Sequence, residues 1–267
     1  MKDFKASYGD WALVTGASSG IGEIFATKLA AAGMNTVLVA RRKDRLDQLA
    51  AKLKESCKVD TRVICADLSD ENETKNLIVQ VDDLEIGVLV NNAGFANTGN
   101  FLDNNLDDEI RLLNTNCKSF LILTHGLGNK MKARKKGAMI FLASIVAFAS
   151  TSRWATYAAS KGFDLQMAEA LSLELKEHNI DVLALCPGFT RTEFVTFARL
   201  NDLMAMDADK VVDIALDKLG KSSLVIPGFM NKLNALSTRL TPRFMNTRLF
   251  SMVVSPTQNL ELRKNSA

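Results

Sequence analysis

The chain has 267 residues, with 33 Lys and Arg against 30 Asp and Glu and a net charge of +3 when histidine is neutral. That length accommodates one large α/β domain with a substantial buried core, and the near-balanced charge gives no nucleic-acid footprint. Four cysteines (Cys57, Cys65, Cys117 and Cys186) lack CxxC spacing and have only two histidines beside them, so no metal site is expected. Free thiols suit a reducing, cytoplasmic compartment.

From the N terminus, Met-Lys-Asp-Phe-Lys runs straight into a strand pattern without the apolar region of a secretory signal. No stretch reaches the roughly 18 uninterrupted apolar residues of a transmembrane helix. Strands are expected at Trp11 to Thr15, Thr36 to Ala40, Arg62 to Cys65, Val88 to Asn91, Ala138 to Ala143, Val182 to Leu185 and Leu224 to Ile226. Most are continuous Val/Ile/Leu/Ala runs, as befits parallel strands buried on both faces. Helix patterns lie between them, among them Ile21 to Ala32, Arg45 to Leu53 and Leu106 to Lys132. The alternation predicts a single α/β, doubly wound Rossmann domain over 1–227, with a seven-stranded parallel sheet and helices on both faces. Residues 228–267 are predicted to form an apolar and basic helical extension of it. Ligands of such sheets bind beyond the carboxyl ends of the strands.

The first strand ends in Thr15-Gly16-Ala17-Ser18-Ser19-Gly20-Ile21-Gly22, which opens the next helix. Glycines allow the tight turn and let backbone N–H groups approach a pyrophosphate at the positive helix end. About 20 residues further on, the second strand ends at Ala40-Arg41-Arg42. An NAD site usually places an acidic residue there for the ribose. Two arginines instead offer charge-assisted forks for a 2′-phosphate, so NADP(H) is preferred over NAD(H). In Tyr157-Ala-Ala-Ser-Lys161 the phenol and the ammonium stand one helical turn apart on one face. The lysine is expected to pull the phenol below its usual value of about 10, towards working pH, where it can exchange a proton with a carbonyl or alcohol.

The glycine turn, Asn91-Asn92-Ala93-Gly94, Ser144, the Tyr157/Lys161 pair and Pro187-Gly188 occur in one order from Trp11 to about Thr192. That order resembles the short-chain dehydrogenase/reductase family in its compact form. The resemblance implies a catalytic set of Asn116, Ser144, Tyr157 and Lys161, with Asn116 preferred to the nearby Asn114. It implies cofactor contacts from Gly16, Ser18, Ser19, Gly20, Ile21 and Gly22, from Arg41 and Arg42, and from Asp67 and Leu68 beside the adenine. Asn92, Ala93 and Gly94 would close the cofactor cleft, Lys161 would reach the nicotinamide ribose, and Pro187, Gly188, Thr190 and Thr192 would meet the carboxamide. Tyr8 to Ala12 and Arg41 to Lys43 are faintly similar to the 3-oxoacyl and hydroxysteroid reductase branch.

Phe189, Phe194, Val195, Phe197, Leu200, Leu203, Met204 and Met206 fill the segment that varies with substrate in that family. They imply a small lipophilic carbonyl or alcohol, of fatty-acyl, steroid-like or other type. The tail after Ile226 interleaves Phe229, Met230, Leu233, Leu236, Leu240, Phe244 and Met245 with Lys232, Arg239, Arg243 and Arg248. Three roles stand open for it: capping the core or a partner subunit, roofing an apolar channel, or peripheral contact with an anionic membrane. A homo-oligomer, dimer or tetramer, is expected.

Overall fold

Uniformly apolar strands need cover on two sides, and that need organises the molecule. The structure, a computed structural model, describes residues 3–193 and 205–262, with side chains as far as residue 252. β1 (Trp11–Thr15), β2 (Asn35–Ala40), β3 (Thr61–Cys65), β4 (Ile86–Asn91), β5 (Gly137–Leu142) and β6 (Ile180–Leu185) are joined by a late strand, Leu224–Val225. All seven pair in parallel in the order β3-β2-β1-β4-β5-β6 and then the late strand. The seven expected strands are therefore present, each within two residues of its expected ends.

Alternate residues of each strand feed two separate cores. Val14, Val88, Val90 and Ile140 join Phe25, Leu29, Leu46, Leu53, Val211 and Val212 on one face. Leu13, Leu89, Met139 and Phe141 join Leu77, Phe120, Leu123, Leu127 and Leu165 on the other. The first face is covered by α2 (Gly20–Ala31), α3 (Lys43–Cys57) and the helix Ala208–Lys218, the second by α4 (Glu71–Gln80), α6 (Ser119–Arg134) and α7 (Ala155–Glu174).

Two expectations are corrected. The chain does not run straight into its first strand: Asp3 caps a short helix α1 (Phe4–Tyr8), whose Tyr8 hydroxyl donates to Asp181 at 2.7 Å. Nor is the continuous helix over Leu106 to Lys132 uniformly α-helical. Here α5 (Leu106–Leu113) and α6 are joined by a π-turn at Asn114–Lys118, with the Ser119 N–H bonded to the Asn114 carbonyl. The wider turn points the Asn116 side chain inward, where polar partners wait, and such turns gather at functional sites.

Beyond the sheet, α9 (Phe229–Leu240) and α10 (Arg243–Leu262) form a helical hairpin; the helix Ala208–Lys218 is α8. Asn246 seals the hairpin turn by donating to the carbonyls of Thr238 at 2.9 Å and Thr241 at 3.0 Å. No helix among the described residues is long and apolar enough to cross a membrane.

The second-face core is tight at the Phe120–Phe141 edge contact, with ring centroids 6.3 Å apart and both side chains fully buried. Phe141→Ala is expected to destabilise the fold by roughly 3–5 kcal/mol, through lost transfer energy and a cavity, in chemical denaturation.

Candidate active site

Strand order reverses between β1 and β4, and a cleft opens beyond their carboxyl ends, as the topology requires. In the β1–α2 turn Gly16 and Gly20 have φ of 68° and 59°, which side chains with a Cβ rarely adopt. A Cβ on Gly16 would come within 2.7 Å of Asn92 Nδ2, and one on Gly22 within 2.4 Å of the Gly16 carbonyl. Gly22 thus lies behind the cleft, letting α2 close on the turn, while Gly16, Ser18, Ser19, Gly20 and Ile21 line it. Ser19 makes no side-chain cap bond at the start of α2. The first-turn N–H groups keep their capacity for an anion.

Arg41, Arg42, Asp67 and Leu68 line the same wall. Arg41 is 60% exposed, with its guanidinium 3.9 Å from Asp67. Arg42 donates to the hydroxyls of Ser18 (3.0 Å) and Ser19 (2.6 Å), and to Glu193 (2.9 Å). Arg45 also bonds Glu193, and these two arginines hold its carboxyl down at about 2. Asp67 takes bonds from the Ser69 backbone and hydroxyl and from Arg111 at 2.9 Å. Desolvation raises the Asp67 carboxyl, but these donors outweigh it and keep it below its ordinary range.

On the facing wall, the Thr15 hydroxyl accepts from the N–H groups of Asn92 and Ala93, and the Asn92 amide donates to the Thr15 carbonyl at 2.7 Å. These bonds tie the β1 and β4 ends together, with Asn92, Ala93 and Gly94 in the lining. Asn116 is fully buried and lies outside the lining. Its side chain accepts from the Phe95 N–H at 3.2 Å and donates to the Phe95 carbonyl at 3.1 Å and to Ser160 at 3.0 Å. It thereby joins the β4 loop to α7. Asn114, by contrast, is only partly buried.

Ser144, Tyr157 and Lys161 meet in the cleft floor. Tyr157 is hydrogen-bonded to Ser144, and its ring stands edge-on to Trp154 at 5.4 Å between centroids. The Lys161 ammonium, 5.9 Å from the Tyr157 ring centroid, donates to the Leu142 carbonyl at 2.6 Å and to Asp164 at 3.0 Å. One expectation is overturned here. Lys161 and Ser144 do favour the phenolate, but desolvation is larger and Asp164 adds to it, so Tyr157 stands above its ordinary value.

Pro187, Gly188, Thr190 and Thr192 form the remaining wall. The Pro187 carbonyl accepts from the Ile145 N–H, and a short ladder pairs Thr190–Arg191 with Met206–Asp207. Phe194, Val195, Phe197, Leu200, Leu203 and Met204 lie outside the described residues. The cleft encloses about 1410 Å³ and runs under the hairpin to Met230, Asn234, Leu249 and Phe250. The described residues contain no cluster of side chains suited to a metal ion.

A family model for short chain dehydrogenase matches residues 10–202. The chain belongs to that family. It is an oxidoreductase acting on CH–OH or C=O groups, and short-chain dehydrogenases bind a nicotinamide cofactor. It is 31% identical over 241 residues to the 7beta-hydroxysteroid dehydrogenase of Collinsella aerofaciens, covering 86% of this chain and 90% of that protein. It is 34% identical over 220 residues to a very-long-chain 3-oxoacyl-CoA reductase of Phaeosphaeria nodorum, covering 80% of this chain and 64% of that protein. Among solved structures, a short-chain dehydrogenase from Sphingobium yanoikuyae in complex with NADPH superposes with a TM-score of 0.79 at 33% identity, covering 86% of this chain and 93% of that one.

Three features of this short-chain dehydrogenase escape a linear reading. Glu193 reaches Arg42 across 151 positions, Asn116 reaches Phe95 across 21, and Asp164 faces Lys161 inside the protein. Only the last left a signal: an aspartate three places after the lysine, on the same helical face. Asn116→Ala, by stripping buried partners from the Phe95 backbone, is expected to cost roughly 1–3 kcal/mol in denaturant unfolding.

Proposed function

We propose that this short-chain dehydrogenase is an NADP(H)-dependent reductase of a bulky, lipophilic ketone of oxosteroid or 3-oxoacyl type, and in reverse an alcohol dehydrogenase. One observation carries the reading: a single cleft joins the glycine turn and the arginines to Ser144 and Tyr157 and then to the apolar hairpin. The relatives named for 7beta-hydroxysteroids and very-long-chain 3-oxoacyl-CoA support that substrate class, and the NADPH complex supports the cofactor.

The wall residues fit such a cofactor in kind and place. The uncapped start of α2, with Gly16, Ser18, Ser19, Gly20 and Ile21, receives the pyrophosphate, and Gly22 keeps the helix close to it. Arg41 and Arg42 would hold the 2′-phosphate. Asp67 and Leu68 would flank the adenine, Asn92, Ala93 and Gly94 would form the inner wall, and Pro187, Gly188, Thr190 and Thr192 would meet the carboxamide. When bound, the nicotinamide supplies or accepts hydride.

The protein's own side chains handle the oxygen and its proton. Ser144 holds the carbonyl oxygen by a hydrogen bond, and Tyr157 donates a proton to it as negative charge develops. A phenol held above its ordinary value is protonated at neutral pH, the state that reduction requires. Lys161 spends two donors on Leu142 and Asp164, which leaves one of three for a ribose hydroxyl. Asn116 acts at one remove, fixing the Phe95 loop against α7. The hairpin roofs the substrate end, presenting Met230, Leu249 and Phe250 inward.

NADPH consumption against oxosteroids, 3-oxoacyl thioesters and bulky ketones tests the activity; no turnover of any class would sink it. Tyr157→Phe is expected to lower kcat by roughly 10²–10⁴ while NADPH still binds in calorimetry, and near-normal turnover would remove the assigned role. Arg41→Ala is expected to raise KM for NADPH roughly tenfold to a hundredfold and leave that for NADH unchanged. Equal effects on both cofactors would refute the phosphate assignment.

A further inference from the structure

Tyr157, Lys161 and Asp164 fall at spacings of four and three along α7, so all three lie on one helical stripe. Lys161 is 3% exposed and Asp164 0%, and their charged atoms are 3.0 Å apart. Such a pair is costly to bury, and here it is incompletely served: Asp164 Oδ1 has no hydrogen-bond partner. A helix held only by packing would gain more from an apolar residue at that position. Aspartate breaks the local rule beside the reacting phenol, which is where broken rules signal function.

We propose that Asp164 is a positioning residue for the Lys161–Tyr157 pair, its carboxylate pinning the ammonium against the Leu142 carbonyl and neutralising it, so that the phenol faces a charge-balanced lysine. The inference rests on the roles given to Tyr157 and Lys161 above.

Charge counting shows what this does. With Asp164 ionised, the pair is already neutral, and a phenolate would leave the buried cluster with a net negative charge. Without the carboxylate, the phenolate becomes the sole buried counterion to Lys161. Burial raises the Asp164 carboxyl to about 6, and the Lys161 ammonium 3.0 Å away favours its carboxylate form. The other titratable groups facing the cluster are Cys117 from the π-turn and Cys186 beyond β6, with Glu169 acting on Cys186 from α7 itself. Burial pushes both thiols up to about 12, so they remain neutral and supply no competing charge. The Phe120 ring, 5.8 Å from the ammonium, adds a fixed face without a proton.

The chain has two tyrosines, and the second, Tyr8, is held protonated by burial and by its bond to Asp181. Ultraviolet difference absorbance of the phenolate, taken between each protein and its Tyr157→Phe counterpart, therefore isolates Tyr157 without any substrate. Asp164→Asn keeps the shape and removes the charge, and is expected to move the Tyr157 titration down by about one pH unit. An unchanged or upward-shifted titration would overturn the inference. Asp164→Ala replaces the amide variant where that does not fold, with the same expected direction. Failure of both to fold would overturn it in favour of a purely structural role. A wild-type enzyme that reduces none of the tested ketones defeats the proposed activity and leaves this titration standing, so the two failures are distinguishable.

Discussion

The ammonium of Lys161 has been taken out of water, and the site is arranged around that fact. An unpaired charge at 3% exposure would be prohibitive, so fixed partners must come to it. They come from different elements: the Leu142 carbonyl from the end of β5, Asp164 from the next turn of α7, and the Phe120 ring from α6. Satisfying all three sets the height and rotation of α7 against the sheet. Tyr157, one turn before Lys161, is then carried to the cleft floor beside Ser144. Asn116 fixes the same helix from the other side through Ser160, and the β4 loop through Phe95. Phenol placement thus follows from how the buried charge is partnered.

The larger frame follows from the sheet. Seven parallel strands covered on both faces leave only their ends for ligand contact, and the reversal of order between β1 and β4 leaves a crevice there. Its nucleotide end is polar and built from backbone and arginine. Its far end passes under α9 and α10, whose inner side mixes asparagines with Met230, Leu249 and Phe250. Ser251 accepts from the Ser152 N–H, and Asn231 packs where any side chain on Gly188 would lie. The hairpin is therefore seated on the loops after β5 and β6. The proposed roof over the cleft is supported by these contacts together with the lining by Met230, Leu249 and Phe250.

How legible was this in the sequence? The seven strands were, because a doubly buried strand must be continuously apolar, and runs such as Val88 to Asn91 cannot be mistaken for an amphipathic edge. The glycine turn and the Tyr157/Lys161 spacing were legible for the same reason: backbone clearance and helical pitch restrict residue type at fixed intervals. The π-turn at Asn114–Lys118 was not. Leu106 to Lys132 keeps a helical apolar rhythm throughout, and the extra residue of the π-turn answers to Phe95 and Ser160, which are distant in sequence. Glu193 was invisible likewise, since nothing local marks one glutamate as the partner of arginines about 150 positions earlier.

The instructive disagreement concerns the phenol. Helical pitch correctly places a cation one turn from Tyr157, and an isolated pair in water would lower the phenol. What pitch cannot supply is the dielectric. The element packing that brings the cation close also strips water from the ring, and desolvation penalises the phenolate by more than Lys161 returns. Asp164 pushes the same way by less, because its own negative charge opposes the field of the ammonium at the phenol. The sign at Tyr157 is thus set first by burial, with the opposed charges of Lys161 and Asp164 modifying it. On these terms Tyr157 stays protonated at neutral pH, the state that the proposed reduction requires.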